Sequence, residues 1–208
     1  TFIAYGADLT KSKLGDNDSK LLKWYEEKEV EANEYYLAVG RFVPENNYET
    51  MITEFMRSNT KKDFVLITNV EQNKFYDDLK KRTNFDKDRR IKFVGTVYDQ
   101  ELLKKIRENA YGYLHGHEVG GTNPSLLEAL ATTELNILLN VGFNKEVGMD
   151  GAVYFSKEEN NLANLINLLE VMSVEDKTNL GNKAKNRIEL EYTWNKIVHQ
   201  YEKLFLVK

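Results

Sequence analysis

The chain has 208 residues, 41% of them hydrophobic, with 29 Lys and Arg against 33 Asp and Glu and no cysteine. That apolar content can bury a core in one generous or two small domains, while the formal net charge of -4 supplies no basic field for nucleic acid. The lack of thiols excludes disulfides and thiolate metal sites, no apolar run approaches the ~20 residues of a bilayer span, and the opening "TFIAYGADLT" has no signal-peptide pattern. A folded, soluble, cytoplasmic protein is expected, and because Thr1 is not an initiator methionine, a processed product or an excised fragment.

In chain order, "TFIAYG" (1–6) reads as a short strand without an evident partner, followed by a polar loop through Asp18 and a helix over 21–31. Runs rich in β-branched and aromatic residues then recur at 35–40, 63–68, 90–95, 110–115, 135–140 and 152–155. They are apolar on successive residues, as in strands covered on both faces. Helical periodicity fills the gaps at 47–57, 74–83, 100–109, 124–132 and 162–172. In the first of these Met51, Ile52, Phe55 and Met56 share one face, the stripe a crossover helix turns to the core. The remainder, 173–208, reads as two helices, the first opened by Ser173 in "SVED", the second carrying a stripe of Trp194, Ile197, Val198, Tyr201, Leu204 and Phe205.

Strand and helix alternating at this length imply parallel strands joined by right-handed crossovers. The fold class is therefore α/β, a doubly wound, Rossmann-like parallel sheet with helices on both faces. Its domain runs over 34–172, between a linker strand and helix (1–33) and the C-terminal helices (173–208).

Such sheets bind ligands at the carboxyl ends of their strands, near a switch in strand order. The richest of these turns is "GHEVGGTNPS". Pro124 suits the first position of a helix with Asn123 as its cap, and Gly120 and Gly121 let backbone N–H groups converge beside the helix start, a ready anion site; ordinary capping is the plainer alternative. Arg41, directly after the first domain strand, can clamp a phosphate, or else pair with an acid such as Glu45. In "FVGTVYD" Gly95 lets a flat ring approach the backbone. Glu128, one turn inside the helix, can reach ligand hydroxyls as a carboxylate grips a ribose diol. His115, His117 and Glu118 lack the further ligands a metal needs, so a histidine beside a phosphate or a sugar hydroxyl is the more economical reading. Hydrolase elbow, Walker and dinucleotide fingerprints are absent from the sequence.

Taken together and in order, "YLAVGRFVPENN", "DFVLIT", "RIKFVGTVYDQELLKKIRENAYGYLH", "GGTNPSLLEALA", "NKEVGMDGAVYF" and "YTWNKIVHQYEKLF" resemble the carboxyl-terminal, donor-binding domain of GT-B glycosyltransferases of family four, over about 35–205. "GRFVPENNYETMI" and "GHEVGGTNPSLLEA" more narrowly resemble bacterial rhamnosyltransferases of capsule and cell-wall polysaccharide synthesis. The resemblance implies a metal-independent, retaining enzyme with no cofactor. Its donor would be a nucleotide sugar, dTDP-L-rhamnose, and a glycan or lipid-linked glycan acceptor would bind chiefly to an amino-terminal half that precedes Thr1. The last helix would cross back to that half. The enzyme would work in the cytoplasm at the inner face of the membrane, and the fragment alone would be inactive.

Carried over by position, Gly40 and Arg41 would bind the diphosphate, Gly95 and the turn Thr96, Val97 and Tyr98 the base, and Glu128 the ribose. Backbone amides through Gly120, Gly121, Thr122, Asn123, Ser125 and Leu126 would complete the phosphate site. Arg41, His117 and Glu118 would be the catalytic groups. Two positions depart from the family pattern. Gly120 stands where the wider family has the first of two glutamates, leaving Glu118 to substitute, and Asn46 stands where it often has a lysine. A sugar-nucleotide epimerase of the same architecture and a non-catalytic nucleotide-binding or interaction module are the rivals; the lysine motif of a phosphorylase is not present.

Overall fold

A computed structural model of the protein describes residues 3–206. Six strands, β1 (Tyr35–Val39), β2 (Asp63–Ile67), β3 (Ile91–Gly95), β4 (Gly112–His115), β5 (Asn136–Leu139) and β6 (Val153–Phe155), form one sheet in the order β3-β2-β1-β4-β5-β6. All five pairings are parallel, the doubly wound arrangement that reverses direction between β1 and β4.

Alternation along each strand divides the core. Tyr36, Ala38, Phe64, Leu66, Leu114, Ile137 and Leu139 face one side. There they meet α2 (Tyr48–Arg57), α3 (Lys74–Thr83) and α7 (Asn161–Leu169) through Met51, Ile52, Phe55, Leu79, Leu162 and Ile166. Tyr35, Leu37, Val65, Ile67 and Tyr113 face the other, under α1 (Ser19–Lys28), α4 (Gln100–Glu108) and α5 (Pro124–Thr132). On that side α6 (Gly142–Gly148) and α8 (Val174–Glu191) extend the layer, with Leu126, Leu130, Val147, Ala184 and Ile188 around Leu138. Side chains two apart on a strand share a face, which is why runs apolar at every position are needed here.

Several boundaries differ from those expected. The first helix begins at Ser19 because Asp18 accepts from the Lys20 amide, and it ends at Lys28 because Glu29 turns left-handed at φ 53°. Asn47, expected inside α2, is itself left-handed at φ 54°, and α7 stops at Leu169 rather than 172. Helix α6 was not foreseen: two of its seven residues are glycine, which masks its propensity. Segment 3–6 is not a strand, and its contact lies within the chain: Ala7 makes a single parallel bridge to Thr193 and donates to the Tyr192 carbonyl at 2.7 Å. Thr1 and Phe2, also assigned to that strand, and Val207 and Lys208, at the end of the expected last helix, lie outside the described residues.

The last helix, α9 (Trp194–Leu206), buries only Ile197 of its apolar stripe. Trp194, Val198, Tyr201, Leu204 and Phe205 are 46–78% exposed. No helix among the described residues is long and apolar enough to cross a membrane.

Candidate functional site

The loops leaving β1 and β4 meet at the switch point and are laced together by their own polar groups. Asn47 Nδ2 donates to the Gly116 carbonyl at 2.8 Å, the Glu118 amide donates to the Glu45 carbonyl at 3.2 Å, and Asn144 Nδ2 donates to the His117 carbonyl at 3.0 Å. Gly116 is required by proximity, since a Cβ there would lie 2.4 Å from the Asn46 carbonyl oxygen. The start of α5 is tied to the same place: Ser125 Oγ donates to the Val39 carbonyl at 3.1 Å and lies 2.8 Å from the Tyr113 hydroxyl. Asn46, at the position where a lysine was considered, is buried and donates through Nδ2 to the Arg41 carbonyl at 2.8 Å. Its side chain shapes the turn that carries Arg41.

Beside this junction, at the ends of β1, β2 and β3, opens a cleft of about 450 Å³ lined by Gly40, Arg41, Thr68, Asn69, Thr96 and Val97 among others. Arg41 is exposed, and among the described residues it forms no ion pair: Glu45, its considered partner, does not engage it. Gly95 takes φ +79° and turns Thr96 and Val97 to the cleft. Tyr98 is 84% exposed and is not part of the lining.

Tyr113, His115 and His117 lie at every second position and stack in a ladder along one face. The His115 and His117 rings are 4.3 Å apart and 8° from parallel. Parallel rings do not converge on a common metal. His115 is fully enclosed, neither of its nitrogens has a partner, and burial with the neighbouring His117 holds its pKa well below the ordinary value. His117 lies against Gly40, where a Cβ would be 3.3 Å from its Cε1. Burial first, and then the Arg41 charge, push its pKa down to about 4. At neutral pH both are uncharged imidazoles, and the Arg41 guanidinium is the cation of this corner.

At the α5 start, Asn123 Oδ1 accepts from the amides of Ser125 at 2.9 Å and Leu126 at 3.4 Å. Two of the amides expected to face a phosphate therefore already have an acceptor. Those of Gly120, Gly121, Thr122 and Asn123 have none among the described residues, and Gly120 holds φ +120° in open space.

The two candidate carboxylates are both ion-paired. Glu118 binds Lys157, which holds its carboxyl below the usual range. Glu128 Oε2 lies 2.6 Å from Arg107 Nη2, and Arg107 is only 3% exposed. Lys157, Arg107 and Asn144 were missed from the sequence. Arg107 falls on the buried face of α4, one turn after Leu103 and beside Ile106; only the packing of α4 on α5 reveals its partner.

Comparison with known proteins gives structural likeness alone: no protein-family model matches the sequence, and no curated protein matches it. A glycosyltransferase from Rickettsia africae superposes with a TM-score of 0.82 at 15% identity, covering 99% of this chain and 56% of its own. Anabaena HepE in complex with UDP-glucose gives 0.79 at 16%, covering 99% and 57%. The C-terminal domain of the glycosyl transferase group 1 protein LpcC from Francisella tularensis gives 0.68 at 14%, covering 91% of this chain and all of that domain. The chain thus spans little more than half the length of the first two, and its fold is that of a GT-B carboxyl-terminal domain.

Proposed function

We propose that this chain is the donor-binding half of a nucleotide-sugar-dependent glycosyltransferase. The observation that carries the reading is the unpaired Arg41 at the end of β1, over a cleft beside the switch point, with the free amides of Gly120 to Asn123 in the neighbouring β4 loop. A guanidinium and free backbone dipoles stabilise the charge that a departing diphosphate takes up. The turn at Thr96 and Val97 takes the base, and Glu128, oriented by Arg107, takes the ribose. Neutral His117 donates or accepts a hydrogen bond at the phosphate or the sugar, and Glu118 serves the donor sugar in place of the glutamate absent at Gly120. HepE, of the same fold, was captured with UDP-glucose, which supports a nucleotide sugar as the ligand class.

The finer reading follows the sequence: L-rhamnose from dTDP-rhamnose, transferred with retention to a growing cell-surface polysaccharide in the cytoplasm at the inner face of the membrane. The acceptor is held chiefly by an amino-terminal half, to which the exposed apolar stripe of α9 crosses, so these residues alone do not turn over. Calorimetric titration with dTDP, UDP, GDP and dTDP-rhamnose tests both levels. Binding of dTDP and dTDP-rhamnose, lost in Arg41→Ala, is expected. Preference for UDP or GDP would discard rhamnose and keep the transferase, and binding unaffected by Arg41→Ala would overturn the site.

A further inference from the structure

A second cavity, of about 240 Å³, opens on the far side of the Gly121–Thr122 loop, walled by α6, α8 and α9 and by segment 3–6. Its apolar surface comes from Phe143, Val147, Tyr192 and Ile197, and its polar groups are Glu146, Arg187, Glu191 and Gln200. Arg187 is held in place without being satisfied. Nη2 donates to the Glu146 carbonyl at 3.1 Å, Nη1 is 4.0 Å from Glu191, and the guanidinium lies 5.4 Å over the Tyr192 ring, yet Nε is buried with no partner. Nε is out of a ligand's reach, so what the cavity offers is the Nη groups, of which only Nη2 has a hydrogen bond among the described residues.

The geometry points to a binding subsite for one neutral sugar ring. The volume is below the about 300–1,000 Å³ of sites for drug-sized molecules, so a nucleotide does not fit and a monosaccharide unit does. Two carboxylates against one guanidinium disfavour a phosphate or a uronic acid. Planar side chains with paired donors or acceptors suit adjacent hydroxyls, and Phe143 and Tyr192 supply the apolar surface for C–H faces. Thr122 joins this cavity to the donor loop: its Oγ1 accepts from the Tyr5 amide at 3.3 Å, and its backbone belongs to the free amides described above. A ring held here lies one loop from the proposed diphosphate. The assignment of that ring to the acceptor glycan rests on the transferase reading; the binding does not.

The test is a titration of the isotope-labelled chain, followed by amide NMR shifts, with the methyl glycosides of rhamnose, glucose, galactose, mannose and N-acetylglucosamine into the millimolar range. UDP and dTDP are titrated in parallel. Saturable shifts at Thr122, Phe143 and Gln200 with at least one glycoside are expected, weakened about tenfold by Arg187→Met and by Gln200→Leu, the loss of a pair of hydrogen bonds. Gln200 lies half-exposed on α9, so its replacement spares the fold. Absence of saturable shifts there with all five probes, or unchanged affinity in Gln200→Leu, would overturn the subsite. Nucleotide binding without sugar binding sinks this inference alone; sugar binding without nucleotide binding keeps the cavity and removes the transferase reading.

Discussion

Replacing Glu128 by Gln should destabilise the protein far more than replacing its partner Arg107 by Met. Arg107 is 3% exposed; among the described residues Glu128 Oε2, at 2.6 Å, is the one carboxylate on its guanidinium, and its Nε has no partner. Glu128→Gln thus leaves a buried cation uncompensated, and breaking such a pair costs about 3–5 kcal/mol. The Glu128 side chain is 40% exposed, so water reaches its end of the pair and the lower bound applies, about 3 kcal/mol. At about 2–4 °C per kcal/mol for a chain of this size, the melting temperature falls by about 6–12 °C. Arg107→Met leaves a carboxylate that water can solvate and costs about 1 kcal/mol. The double variant should be more stable than Glu128→Gln alone, because the stranded charge is gone. Urea unfolding followed by circular dichroism gives all three values, and nucleotide titration separates stability from binding: Arg107→Met keeps its carboxylate and should still bind, whereas both Glu128 variants should not. A Glu128→Gln protein as stable as the parent, or a double variant no better than it, would refute the account of Arg107 as a charge that depends on one partner.

Gly116→Ala places a methyl 2.4 Å from the Asn46 carbonyl and 3.1 Å from Met51 Cε; an overpacking cost of about 1–3 kcal/mol and loss of nucleotide binding are expected in the same unfolding and titration assays. Arg41→Ala, at an exposed and unpaired position, should change stability by less than about 0.5 kcal/mol while weakening dTDP or UDP binding, read by calorimetry. Stability should fall on acidification. The His117 pKa is about 4 in the folded protein against about 6.5 in the unfolded chain, so the unfolded state takes up the proton first. The stabilisation is complete above about pH 6.5 and is lost as pH falls through 4, about 3 kcal/mol in all. Thermal unfolding at stepped pH should show this slope, and His117→Gln should make it shallower while leaving the part that buried His115 contributes with the same sign.

The sheet was legible because its four central runs, buried at nearly every position, have few alternatives, and its helices because caps such as Asp99 and Asn123 sit where the periodicity begins. The short segment at 3–6 misled because its β-branched and aromatic residues read as a strand, whereas the chain there runs against Trp194 without forming a ladder: a Cβ at Gly6 would lie 2.6 Å from the Trp194 ring. Around the site, residue types were readable and their partners were not. Arg41 and Gly120 are exposed features set by local chain direction, whereas Lys157 reaches Glu118 across 39 positions and Arg107 reaches Glu128 across an interhelical contact. No periodicity in one sequence records such pairings.

The two departures at Asn46 and Gly120 bear on one electrostatic question. With a lysine at 46 the β1 turn would carry two cations, and with a glutamate at 120 the β4 loop would carry a carboxylate against the phosphate-facing amides. In this chain both charges are absent together. Asn46 is turned inward to hold the Arg41 carbonyl, and Gly120 adopts φ +120°, a conformation a glutamate would occupy only under strain. Glu118 and Glu128 are paired where they stand, with Lys157 and Arg107, Glu45 in the β1 turn forms no ion pair among the described residues, and the histidines are uncharged. One guanidinium without an ion pair then lines the cleft, and the four free amides lie in the neighbouring β4 loop. On this argument restoring a lysine at 46 should tighten nucleotide binding only if Gly116 and the Arg41 turn survive the loss of the Asn46 hydrogen bond. That coupling makes the turn geometry, rather than the count of positive charges, the property on which the proposed site depends.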